Sequence, residues 1–303
     1  VSILLFKGFV LVFAGGFDLN IGEKKQKREI TIIQGWRTPY VSMFIPADPV
    51  VFPYRVLRLA QAVYYATPEK RIRVIKTLLK GVAESYVFWA NICSQCLITE
   101  EILRAVRVFR RNIDSIGEVK EGLGFEGNFH KEIFEIWMRN VPPEFGFTGR
   151  NRQPPRDPLN ALISYGNSLM YKICVPPLQK AGFNTSVGFL HQPGRGRHTL
   201  ALDIAELLKP VLVEAVIWNM LLEGEFARDM TTEGPGGCFL NKDGKKAYRD
   251  SLFKMVEDLF GGSTRCHFGW PINLLKALEE TVARISRDLI QETIPESWVV
   301  FRR

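Results

Sequence analysis

The segment Phe44–Pro53, FIPADPVVFP, places three prolines within eight residues and divides the chain into two kinds of sequence. Proline has no backbone N–H and a fixed φ, so such a stretch marks a linker or domain edge. Before it, the apolar runs ILLF, FVLVF, EITII and YVSMFI are short and rich in β-branched or aromatic residues. That pattern predicts strands, with Glu23–Arg28 (EKKQKR) as a solvated hairpin loop. After it the period becomes helical. YRVLRLAQAVYYA is followed by Thr67-Pro68-Glu69, an N-cap with proline at the first helical position, and by the helical run RIRVIKTLLKGVAESYVFWANI. Further helices are expected over Ile102–Ile113, with Arg104, Arg107 and Arg111 on one face, and over Gly127–Asn140. Asp157-Pro158 should open a helix over Leu159–Lys172, and residues 201–223 should form one kinked at Pro210. Lys245–Leu259 and Pro271–Gln291 complete the set. The expected fold class is α+β: a small, strand-rich N-terminal β domain with its linker at residues 1–52, then a large all-α domain at 53–303.

A chain of 303 residues with 46% hydrophobic and 24% charged residues can bury a sizeable core as a soluble globular protein. The formal charge of +8 favours polyanionic partners. Five cysteines, an odd number over a long chain, do not make a disulfide framework and fit a reducing cytoplasm. The start VSILLFKGFVLVFAGG lacks a basic n-region and is interrupted at Lys7-Gly8, unlike a signal peptide. Leu200–Leu222 is nearly long enough to span a bilayer but carries Asp203, Glu206, Lys209 and Glu214. Central charges cost about 2.5–3.5 kcal/mol each on insertion, so no membrane span is expected, and the run reads as a buried helix.

The chemistry concentrates in Gly188–Pro210, GFLHQPGRGRHTLALDIAELLKP. Asp203 and Glu206 stand three residues apart in a helical apolar run and so share a face. Like charges in that setting call for a neutralising cation or solvent, and His191 upstream offers a nitrogen ligand. A histidine after Gly-Phe-Leu is by itself more often structural; the two acids shift that balance. Glu126, in Gly124-Phe125-Glu126-Gly127, is a candidate third ligand, with complementing a helix N-terminus as the equal alternative. Arg195 and Arg197 lie between these positions, and Arg150, Arg152 and Arg156 come from a proline-rich loop. Basic loops flanking a metal site favour a nucleic-acid substrate. Other motifs are weaker. GLGFEG at Gly122–Gly127 lacks the strand that a nucleotide fold requires, and Cys93-Ser94-Gln95-Cys96 has no second pair. Gly234–Gly237 reads as a plain loop.

In order, FEG, PPRDPLNALISYG and GFLHQPGRGRHTLALDIAELLKP resemble the CRISPR-associated endonuclease/integrase family, that of the first Cas protein, central to spacer acquisition. The resemblance is strong from about Glu126 to Lys246 and weaker through CFLNKDGKKAYRDSLFKMVEDL to the end. It implies a β domain before a helical catalytic domain, and Mg²⁺ or Mn²⁺ held by Glu126, His191 and Glu206. Asp203 would add negative charge or orient water. It implies metal-dependent DNA endonuclease/integrase activity: a protospacer 3′-hydroxyl attacks repeat DNA, or water attacks in hydrolysis. Double-stranded DNA, a homodimer and the small second Cas protein are the implied partners. Between IIQG and the proline-rich stretch, this chain is shorter than the family pattern. Two rivals remain: a stand-alone nuclease on branched DNA, and a catalytically weak DNA-binding assembly subunit.

Overall fold

The computed structural model describes residues 52–93, 98–194, 196–266 and 269–301, with backbone alone at 52–54 and in three short strands. Those strands are β1 (Ser2–Phe6), β2 (Phe9–Phe13) and β3 (Ile30–Gln34). They form an antiparallel sheet in chain order, with Leu4 opposite Leu11 and Leu11 opposite Ile32. Three of the four expected strands are thus present. YVSMFI and the EKKQKR loop lie outside the described residues.

From Phe52 the described chain is largely helical: α1 (Phe52–Ala66), α2 (Pro68–Ile92), α3 (Thr99–Ile113), α4 (Val119–Asn140), α5 (Pro158–Ala181), α6 (Thr199–Glu206), α7 (Val216–Leu222), α8 (Lys242–Phe260) and α9 (Ile272–Gln291). Helix α2 lies in the middle of the core, against α1, α3 and α4. Its buried Val74, Ile75, Leu78, Leu79, Val82, Tyr86 and Trp89 recur at helical spacing and make one continuous stripe. Each large apolar side chain buried there contributes about 1.5–3 kcal/mol relative to exposure. Helix α3 buries Ile102, Ala105, Val106, Phe109 and Ile113 and leaves Arg104, Arg107 and Arg111 exposed, the amphipathic division expected.

The run after Thr199 breaks where proline predicts. Pro210 cannot donate to the carbonyl of Glu206, and its ring clashes there, so α6 stops at Glu206. The amides of Leu207 and Leu208 turn back to Ile204 and Ala205 at 3.1 and 2.9 Å. A wide π-helical turn follows at Pro210–Ala215 before α7 begins. Every residue from Asp203 to Trp218 is buried. Among the described residues no helix is long and apolar enough to cross a membrane.

Three elements differ from expectation. Helix α4 begins at Val119 rather than Gly127, so GLGFEG lies wholly within it. Gly122 is there for close approach: a Cβ would meet Ile75 of α2 at 2.7 Å and Leu190, next to His191, at 3.2 Å. Helix α5 continues through Pro176-Pro177 to Ala181, held by buried Ile173, Cys174 and Leu178. A hairpin, β4 (Thr231–Gly234) with β5 (Gly237–Leu240), interrupts what was expected to be all-α, with Gly234–Gly237 forming its turn. Gly237 has φ 114° and allows the hairpin to dock on the proline-rich loop, where the Cys238 amide donates to the Pro155 carbonyl at 2.7 Å.

The tightest packing restraint is Gly81 on α2, where a Cβ would fall 2.1 Å from the Trp298 carbonyl oxygen and 2.7 Å from Leu207. Gly81→Ala should therefore lower the unfolding free energy by about 1–3 kcal/mol in urea titrations, against expectation from helix propensity alone. A G81A protein as stable as the wild type contradicts this packing.

Candidate metal centre

Four buried ionisable side chains from two parts of the chain, α4 and the end of α6, come together in the core. Glu126 and His130 lie one turn apart on α4, and Glu206 and Lys209 flank the break at the end of α6. One donor atom each from Glu126, His130 and Glu206 lies within 4.8 Å of the others. His130 Nδ1 is 2.8 Å from Glu126 Oε1, and Lys209 Nζ donates to Glu206 Oε1 at 2.5 Å. The second Glu206 oxygen, Oε2, is buried with no hydrogen-bond partner among the described residues. An orphaned buried carboxylate oxygen beside a second carboxylate and imidazole nitrogen fits a divalent cation as the missing partner.

His191 is held by a different device. Asp203, fully buried on α6, accepts the backbone N–H groups of Phe189 and Leu190 on Oδ2 at 2.5 and 3.1 Å. Its Oδ1 takes the His191 amide at 2.9 Å and pairs with His191 Nδ1 at 2.8 Å. All four interactions go to the loop, so Asp203 holds its backbone and the His191 ring in place. Arg71 of α2 donates to the Phe189 carbonyl at 2.8 Å, and Gln61 of α1 donates to the Asn184 and Val187 carbonyls. At Gly188 a Cβ would strike the His191 carbonyl oxygen at 2.8 Å, so glycine is required for the loop to fold back. With Nδ1 committed to Asp203, Nε2 of His191 is the nitrogen left for a ligand. His191 is not part of the 4.8 Å cluster, but Glu206 and Glu126 are near enough to act on its charge.

Electrostatics bind the group together. Burial works to raise the Glu126 carboxyl, yet His130, then Lys209 and His191, outweigh it and hold it at about 2. Burial works to lower His130 and His191, but Glu126 raises the first and Asp203 the second above the ordinary range. Burial also pushes Glu214, on the π turn, up to about 7, where Tyr86 donates to its Oε1 at 2.7 Å.

Of the expected site residues, the fold brings Glu126 and Glu206 together, with Glu126 inside α4 rather than at its start. Arg152, Arg156 and Arg197 are exposed, and Arg195 lies outside the described residues. Arg150, unlike them, is engaged within the protein: it donates to Asn160 Oδ1 at 2.7 Å, Ser164 Oγ at 3.0 Å and the Asn151 carbonyl. Burial accordingly lowers it to about 10. Asn160 and Asp157 tie the same loop to the start of α5. A cavity of 760 Å³ runs from His130 and Gly127 to Arg152 and Arg156 on the basic loop, and it touches the cluster at His130. Sequence reasoning missed His130 and Lys209, although Glu126 and His130 have the i, i+4 spacing that puts two side chains on one helix face.

Comparison with known proteins identifies the family. Residues 33–253 match the family model described as CRISPR associated protein Cas1, which is most of the chain. The chain belongs to the Cas1 family. A CRISPR-associated endonuclease Cas1 from Clostridium perfringens is 31% identical over 196 residues, covering 64% of this chain and 59% of that protein. The chain thus matches less than two thirds of that relative's length. Among solved structures, a Cas1 protein from Thermotoga maritima aligns with TM-score 0.68 and 23% identity, over 84% of this chain and 76% of that one. A casposase bound to integration product aligns with TM-score 0.71 and 15% identity, over 98% and 90%. At those identities the likeness concerns the fold.

The Glu126–His130 pair has a signature in pH. Glu126, depressed from 4.5 to about 2, contributes stability above pH 4.5 that is lost as pH falls. His130, raised from 6.5, contributes stability below pH 6.5 that is lost as pH rises through its folded value. In chelator-treated protein, the stability difference between wild type and Glu126→Gln should therefore be largest between pH 4.5 and 6.5 and shrink on either side. Urea unfolding across pH 2.5–8 measures it; a difference that does not vary with pH contradicts the pairing.

Proposed function

We propose that this chain is a divalent-metal-dependent DNA endonuclease and integrase of CRISPR adaptation, joining a protospacer 3′-hydroxyl to repeat DNA by transesterification. The observation that carries the reading is the meeting of Glu126 and Glu206 with a buried oxygen of Glu206 left unpartnered. Glu126, His191 and Glu206 are the residues that would hold Mg²⁺ or Mn²⁺. His191 is preferred over His130 as nitrogen ligand because its Nδ1 is fixed by a carboxylate outside the cluster, the usual outer partner of a metal-bound imidazole. A bound cation there polarises the scissile phosphate and offsets charge developing on it.

The remaining work falls to the chain's own groups. Asp203 sets the ring orientation of His191 and holds its loop. Exposed Arg152 and Arg156 beside the cavity, and Arg197 on the loop after His191, would bind phosphates and set the duplex in place. Arg195 joins them in the reading by its position in the same loop. Burial of the carboxylates excludes bulk water, and no protein nucleophile is required. The family implies double-stranded DNA, a second copy of the chain and the small second Cas protein as partners, and a cytoplasmic setting. The casposase bound to integration product shares the fold and supports the strand-transfer form of the chemistry. We assign the boundary of the catalytic domain to residues 52/53, where α1 begins.

Oligonucleotide assays test this. Joined products are expected from 3′-hydroxyl but not 3′-blocked DNA, with chelator abolishing them. Glu126→Ala and His191→Ala should each lower the rate by about 100-fold or more. Full activity in both variants with metal present overturns the site. Cleavage without joining would indicate the stand-alone nuclease, and binding without turnover the assembly subunit.

A further inference from the structure

The three proposed ligands share an architectural rule. Each is held by a dedicated partner through one atom: His191 by Asp203 at 2.8 Å, Glu206 by Lys209 at 2.5 Å, and Glu126 by His130 at 2.8 Å. The last of these is the least expected, because His130 is a second imidazole in a site whose nitrogen ligand is already supplied. The residue is 8% exposed, and its ring is near those of Phe129 and Phe134, at centroid distances of 5.9 and 6.4 Å. That packing leaves little freedom for the ring to leave Glu126. On its other side His130 lines the cavity that reaches Arg152 and Arg156.

We propose that His130 is a positioning residue for Glu126: its Nδ1–H holds Oε1 so that the carboxylate plane is set before a cation arrives. A glutamate carries three rotatable bonds, and among the described residues the hydrogen bond seen to the Glu126 carboxylate is the one from His130. Without the imidazole donor the carboxylate must be ordered by the incoming ion, at a cost in affinity. Outer partners of metal ligands are typically worth 10–100-fold in binding. The α4 spacing makes this possible at no cost in backbone geometry, since residues four apart stack on one face. His130 thereby does for Glu126 what Asp203 does for His191, with donor and acceptor exchanged. The inference rests on the metal site proposed above.

The test is Mn²⁺ binding to the full chain, followed by EPR of the free ion, for wild type, His130→Leu, His130→Asn and His191→Ala. His130→Leu keeps the volume and removes the donor; it should bind about 10–100-fold more weakly, while His130→Asn, whose amide N–H can sit near Nδ1, should stay within about threefold of wild type. His130→Leu binding as well as wild type, or His130→Asn binding as weakly as His130→Leu, overturns the proposal. Pulsed EPR of bound Mn²⁺ should show one directly bonded imidazole nitrogen, retained in His130→Asn and lost in His191→Ala. Loss of that coupling in His130→Asn makes His130 a ligand and likewise overturns it. Should His130→Leu fail to fold, ¹⁵N-histidine spectra of metal-free wild type decide: a proton on His130 Nδ1 is expected, and a bare Nδ1 overturns the proposal. Wild type that binds no Mn²⁺ instead overturns the metal site itself, a separate outcome.

Discussion

Asp203 is buried to zero exposure, and its two oxygens meet three backbone N–H groups and one imidazole nitrogen. A carboxylate taken out of water costs several kcal/mol unless its lone pairs are met, and here two oxygens meet four donors. The loop 188–191 can close on α6 only because that anion gathers its amides, and α6 can sit in the core only because the loop neutralises it. Position of the His191 ring follows from the same bond. Gly188 and Gly122 serve this arrangement by letting the loop turn tightly and α4 come close to Leu190.

Around that anchor the protein keeps three further buried acids, Glu126, Glu206 and Glu214, against His130 and Lys209. The compensation differs at each. Glu126 is held at about 2 by its imidazole neighbour, whereas Glu214, with Tyr86 as its hydrogen-bond donor, is pushed up to about 7. Glu206 has one oxygen on Lys209 and the other without a partner among the described residues. Buried carboxylates arranged this way do little for stability, since well-packed apolar residues would do better. Their persistence in the core is the physical signature of a site.

Much of the fold was legible because its signals are local. The helical period after Pro53, the Asp157-Pro158 start of α5 and the break at Pro210 all depend on neighbours along the chain. Boundaries were less legible where tertiary contacts decided them. A helix is expected from Gly127, yet Val119 to Phe125 form the first turns of α4, where Gly122 permits close approach to Ile75 and Leu190. Pro176-Pro177 should end a helix, yet α5 continues over them on a buried face. Arg150 and Arg152 look alike in a basic loop, and only the fold shows one consumed by Asn160 and Ser164 and the other exposed.

By itself the sequence determined the helical class of the larger part, the family, and the residue types of the site, because period, prolines and motif order are written along the chain. Only the tertiary structure decided how those residues divide the work. It assigned Asp203 to holding the loop, brought Glu126 and Glu206 together from α4 and α6, and placed His130 and Lys209 on them. The physical reason is that hydrogen bonding and burial act between neighbours in space. A carboxylate's role is set by whichever donors reach it first, and spacing along the chain does not contain that.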